Sequence, residues 1–143
     1  MASEEARLVM NVSVFPTYIV DDDPTVRESI AFMLGASGRP TRTFADGDEL
    51  LGAAAVLAPG CLLVDMRMPG QDGIDLLRAF RALGFEWPVV IMTGHGEVPV
   101  AVQAFQSGAI DFIEKPFQEA LLLRCLDTAG CRLDMLLALP DPC

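Results

Sequence analysis

Short apolar runs alternate with longer stretches of helical spacing along this chain. Tyr18-Ile19-Val20, Cys61-Leu62-Leu63-Val64, Val89-Val90-Ile91-Met92 and residues 109–114 are apolar on nearly consecutive positions. That is the pattern of strands covered on both faces. A second run, residues 39–45, is strand-like but weaker. Between the runs, Val26, Ile30, Met33 and Leu34 recur at helical spacing after Pro24, which suits a first helical turn. Gly35 and Gly38 bracket that helix's exit. Asp46 with Glu49 resembles a capping box, and the helix it opens runs through Leu50, Leu51 and residues 54–57 to Pro59-Gly60. Ile74, Leu77 and Phe80 predict a third helix over about residues 73–83. Val98, Ala101, Val102 and Phe105 predict a fourth, stopped at Gly108, and a last helix begins around Phe117 and runs to Leu139. Five strands alternating with five helices predict an α/β domain, a doubly wound parallel sheet in the flavodoxin-like order 2-1-3-4-5.

Four of the five strand-like runs are closed by polar residues. Asp21-Asp22-Asp23 follow the first, Asp65 ends the third, Thr93 the fourth, and Lys115-Pro116 follow the fifth. The carboxyl ends of parallel strands converge on one crevice, so these groups are expected to meet. Clustered carboxylates repel one another unless protonated or neutralised by a hard cation. Magnesium takes oxygen ligands, usually one or two carboxylates with waters and a phosphoryl oxygen. By residue chemistry, Asp22 and Asp65 are the better ligands and Asp21 supports them through water. Asp23 is placed instead to cap the helix at Pro24. Asp65 can also act as a nucleophile toward phosphorus. Lys115 supplies a compact cation and Thr93 a hydroxyl donor. Pro116 holds Lys115 extended and leaves a cis bond between them open.

Composition narrows the setting. The chain has 143 residues, 52% hydrophobic and 21% charged, enough for one domain with a core. Twenty acids against ten bases give a net charge of −10, which argues against direct contact with nucleic acid. No apolar stretch reaches the roughly 18 residues of a membrane span. Glu4 and Glu5 stand where a signal peptide would carry bases. The four cysteines form no Cys-x-x-Cys pair, so zinc is poorly supported, and Cys61 reads as a buried thiol. These features predict a cytoplasmic protein. His95, between two glycines, reads as a flexible-loop residue and not as a catalytic base.

Four segments together carry a resemblance. They are Val20-Asp21-Asp22-Asp23; Leu63-Val64-Asp65-Met66-Arg67-Met68-Pro69-Gly70-Gln71-Asp72-Gly73; Ile91-Met92-Thr93-Gly94-His95-Gly96; and Ala109-Ile110-Asp111-Phe112-Ile113-Glu114-Lys115-Pro116-Phe117. In this order and spacing the chain resembles response-regulator receiver domains of two-component systems, over about residues 17–130, and FixJ-like receivers in particular. The resemblance implies that Asp65 accepts a phosphoryl group from a histidine kinase or phosphotransfer protein. It implies that Asp21, Asp22, Asp65 and the backbone carbonyl of Arg67 hold magnesium, and that Thr93 and Lys115 bind the phosphoryl group. Phe112 matches the aromatic switch position. A homodimer through the fourth helix, fifth strand and fifth helix would follow, with transcriptional control as the output. A stand-alone receiver acting by protein contacts or in a phosphorelay is the alternative. The chain is then a signalling switch and not a metabolic enzyme, catalysing only its own phosphoryl transfer and dephosphorylation. A flavin- or nucleotide-binding domain would need a phosphate loop where Asp21-Asp22-Asp23-Pro24 stands, and an aspartyl phosphatase is not matched by Asp65-Met66-Arg67. Residues 1–16 read as an extension and residues 131–143 as a helical extension or linker stub.

Overall fold

The computed structural model describes residues 15–94 and 98–138. His95, Gly96, most of the N-terminal extension and residues 139–143 lie outside them. Five strands form one parallel sheet: β1 (Thr17–Val20), β2 (Thr41–Phe44), β3 (Cys61–Asp65), β4 (Val89–Thr93) and β5 (Asp111–Glu114). Their spatial order is β2-β1-β3-β4-β5, as the alternation predicted. Five helices connect or follow them: α1 (Pro24–Ala36), α2 (Gly47–Ala53), α3 (Gly73–Ala82), α4 (Val98–Gln106) and α5 (Glu119–Ala138).

Consecutive side chains of a strand point to opposite faces, and the core divides accordingly. Ile19, Leu63, Val90, Met92 and Ile113 pack with Ile30 and Leu34 of α1 and with Leu122, Cys125 and Leu126 of α5. Tyr18, Val20, Phe44, Leu62, Val64, Val89 and Ile91 face the other way, onto Leu50, Ile74, Leu76, Leu77, Phe80 and Ala104. Both faces of the central strands are therefore apolar, which is why they read as unbroken runs. A fully buried aliphatic side chain stabilises the fold by roughly 1.5–3 kcal/mol.

Some boundaries differ from the sequence pattern. β2 spans four residues, since Pro40 cannot donate to a ladder and its carbonyl instead accepts the Thr17 N–H at 2.9 Å. α2 ends at Ala53 and continues as one 3₁₀ turn, Ala54–Val56, before Leu57 turns extended. Gly60 must then pass close under β1. A Cβ there would lie 2.5 Å from the Pro16 carbonyl and 2.7 Å from the Tyr18 ring. α5 starts at Glu119 because the Gln118 carbonyl accepts the first helical bonds, from Leu121 and Leu122. It continues unbroken past Gly130, and Leu133 is buried beside Cys61 and Ala129.

Capping follows the expected chemistry with one difference. The Asp23 carboxylate accepts the Thr25 N–H at 2.9 Å and caps α1. Asp46 caps α2 by accepting from the Glu49 N–H, but the Glu49 carboxylate reaches Ala45, one residue before the cap. The reciprocal box lies at α3, between Asp72 and Asp75.

Candidate functional site

The carboxyl ends of β1, β3, β4 and β5 deliver the polar residues to one crevice. Asp21 follows β1 directly, and its N–H still bonds the Phe44 carbonyl at 3.2 Å. The side chain is thereby buried at 1% exposure. Asp22 is exposed at the loop's crest. Asp65 is the last residue of β3, paired across the sheet with Met92, and is 6% exposed. One carboxylate oxygen from each of Asp21, Asp22 and Asp65 lies within 4.8 Å of the others. Three hard oxygen donors so placed, two of them buried, fit magnesium better than any softer metal. These are the residues that could hold one.

Lys115 closes the cluster. Its ammonium stands 3.0 Å from Asp65 Oδ1 and 3.2 Å from Asp21 Oδ2. Its N–H donates to the Thr93 carbonyl at 2.6 Å, so the backbone of β5 is tied to the end of β4. The Lys115–Pro116 bond is cis. Burial depresses the lysine's pKa, yet hydrogen bonds and charge contact with Asp65 and Asp21 outweigh it, and the ammonium titrates above its usual range. For Asp65, burial is the largest influence and raises the pKa. Hydrogen bonding to Lys115 lowers it in part, and the charges of Asp21 and Asp22 raise it further. A carboxyl so placed gains from any added cation.

Thr93 is buried at 2% exposure where β4 ends. It lines a cleft of about 460 Å³ with Met66, Arg67, Met68, Asp72 and Val100. The Arg67 side chain is exposed. Phe112 is half-buried on β5, paired with Ile91, and packs against the α2–α3 side of the core. The sequence-predicted residues thus share one end of the sheet, with Phe112 two residues behind the strand end. Cys61 is buried, and burial pushes its thiol up to about 12.

Two supporting residues escaped the sequence reading. Arg27 of α1 donates from Nη1 to the Asp21 carbonyl at 2.7 Å. Gly73 lets α3 begin directly beneath Asp65, where a Cβ would stand 2.7 Å from the Asp65 carbonyl oxygen. Its N–H also bonds the Met66 carbonyl at 2.9 Å, closing the loop after β3. The Asp72-x-x-Asp75 spacing was a legible signal for this helix start. A backbone acceptor such as the Asp21 carbonyl leaves no mark in the sequence.

Comparison with known proteins bears on the family and the fold. The family model for the response regulator receiver domain matches residues 17–127. Transcriptional regulatory protein FixJ of Bradyrhizobium diazoefficiens is 44% identical over 112 residues, covering 78% of this chain and 55% of that protein. The C4-dicarboxylate transport transcriptional regulatory protein DctR of Rhodobacter capsulatus is 44% identical over 107 residues, covering 73% and 54%. The crystal structure of FixJ-N superposes with a TM-score of 0.78 at 39% identity, covering 81% of this chain and 93% of that one. The chain spans about half the length of the curated relatives it matches. Receiver domains bind magnesium at an acidic cluster and pair with histidine kinases or phosphotransfer proteins. The chain belongs to the response regulator receiver domain family and is a phosphorylation-activated signalling switch.

Proposed function

We propose that Asp65 is the phosphoacceptor and that Lys115, Thr93 and Phe112 read its modification. The observation that carries this reading is the buried Asp65 carboxylate, 3.0 Å from the Lys115 ammonium within the three-aspartate cluster. In the transfer, an Asp65 oxygen bonds phosphorus as the P–N bond of a donor phosphohistidine breaks. The imidazole leaves with the bonding pair and takes a proton. Asp21, Asp22, Asp65 and the Arg67 carbonyl would hold magnesium, which when bound neutralises charge on the phosphoryl oxygens. Lys115 exchanges part of its contact with Asp65 for a phosphoryl oxygen, and the Thr93 hydroxyl donates to another. Hydrolysis of the acyl phosphate at the same site resets the switch.

The donor is a histidine kinase or phosphotransfer protein. A cleft of about 520 Å³ beside Lys115, lined by Val26, Ile30, Met33, Pro116 and Phe117, offers it an apolar seat next to the acceptor. The signal leaves through α4, β5 and α5, where Val102, Phe105 and Leu121 are exposed, and a second copy docks there. Its output is transcriptional, as the names of the relatives suggest, and the setting is the cytoplasm. Among the described residues no helix is long and apolar enough to cross a membrane. Residues 17–130 form the receiver unit and the remainder of α5 its helical extension. Calorimetric titration with fluoroberyllate and magnesium tests the reading. The wild type binds stoichiometrically and Asp65→Asn does not; absence of binding to the wild type would sink it.

A further inference from the structure

We propose that Arg27 is a positioning residue that holds the Asp21–Asp22 loop in the shape that receives a divalent cation. The proposal rests on the reading of Asp21, Asp22 and Asp65 as that cation's ligands. Arg27 lies in the first part of α1, and among the described residues its side-chain hydrogen bond goes to a backbone carbonyl, that of Asp21, at 2.7 Å. This carbonyl sits where the chain leaves the sheet. The Asp21 N–H is still in register with Phe44, and the next residue, Asp22, is already exposed. A carbonyl at a buried position requires a donor, and a guanidinium supplies a charge-assisted one.

The same short loop is tied at three further points. The Arg27 N–H donates to the Asp23 carbonyl at 3.0 Å. The Asp23 N–H donates to Asp21 Oδ1 at 2.9 Å, and the Thr25 N–H to Asp23 Oδ1 at 2.9 Å. One oxygen of the Asp21 carboxylate is therefore turned toward the loop and the other toward Lys115, at 3.2 Å. The direction in which Asp22 leaves depends on the peptide between Asp21 and Asp22, and Arg27 grips that peptide's oxygen. Partners one step behind metal ligands commonly act this way, and losing one costs metal affinity.

Charge and position make opposite predictions here. A guanidinium near a cation site repels the cation, so deleting it strengthens binding if charge alone matters. Deleting a positioning residue weakens binding. Magnesium titration of the whole chain by calorimetry, with thermal melts in chelator, separates the two. Arg27→Met is expected to bind magnesium about tenfold more weakly than wild type. Arg27→Lys retains the charge and a donor and is expected to stay within about threefold. Should Arg27→Met fail to fold, Arg27→Gln against Arg27→Lys makes the same comparison. Equal or tighter binding by the Met variant overturns the proposal, as does a Lys variant no better than Met. So does a loss of affinity accounted for by partial unfolding in the chelator melts. A wild type that binds no magnesium removes the ligand reading and this proposal together; a wild type that binds, with an unaffected Met variant, removes only the role of Arg27.

Discussion

Asp65 and Lys115 are each perturbed by the other and by burial, and the signs of those shifts govern how the site responds to pH. Asp65 titrates above its ordinary value of 3.8. The folded state therefore holds its proton more tightly than the unfolded one. Without metal, stability falls as pH rises from the ordinary carboxylate value through the folded one, then levels. Asp65→Asn removes a buried charge and is expected to raise the melting temperature of the metal-free protein at neutral pH. Magnesium competes with that proton, so its affinity should weaken as pH drops into the raised range of Asp65, which calorimetry at stepped pH would reveal. An affinity flat with pH down to the ordinary carboxylate value would contradict the assignment. Lys115 is shifted upward as well, because its contacts with Asp65 and Asp21 outweigh burial. Its contribution to stability is complete below its ordinary value of 10.5 and is lost as pH climbs through the raised folded one.

Elements carry the site because β1, β3, β4 and β5 each end at or just before a residue of the crevice. The start of α3 shows how tight this is. Gly73→Ala puts a Cβ against the Asp65 carbonyl and the Met66 Cα, backbone atoms that cannot step aside cheaply. The substitution should cost about 1–3 kcal/mol in urea denaturation and weaken fluoroberyllate binding at Asp65. Wild-type stability and binding in this variant would show that the close approach is not required. The strands β1, β3 and β4 were legible because both faces of each are covered, leaving unbroken apolar runs. β2 was blurred because it is an edge strand whose Thr41, Arg42 and Thr43 are not buried. The end of α2 was misplaced because the close pass of Gly60 beneath β1 is a tertiary constraint. Asp21, Asp22, Asp65, Thr93 and Lys115 could be read as one site, since strand-end position is a property of the sequence pattern. Arg27 and Gly73 could not, since one acts on a carbonyl and the other by the absence of a side chain.

At the scale of the molecule, the acidic crevice lies at one end of the sheet and the proposed output face, α4, β5 and α5, runs along one edge. β5 is the edge strand that joins them. It carries Lys115 just past its end and Phe112 near its start, packed toward the α2–α3 side. The proposed signal from Asp65 would pass along β5 to reach α4 and α5. Fluoroberyllate should convert the protein to a dimer in light scattering, and Phe105→Asp, on the exposed face of α4, should prevent this without loss of fluoroberyllate binding. A monomer unchanged by fluoroberyllate would remove the dimer from the account. Loss of binding in Phe105→Asp would mean that α4 supports the site itself.

Covalent acceptance of a phosphoryl group by one carboxylate is what the site is proposed to do. Intact-mass spectrometry after incubation with magnesium and acetyl phosphate tests this most directly. The wild type should gain the mass of one phosphoryl group, lose it by hydrolysis on standing with magnesium, and map it to Asp65, while Asp65→Asn gains nothing. An unmodified wild type in the presence of magnesium, or a phosphoryl group that persists in Asp65→Asn, would contradict it.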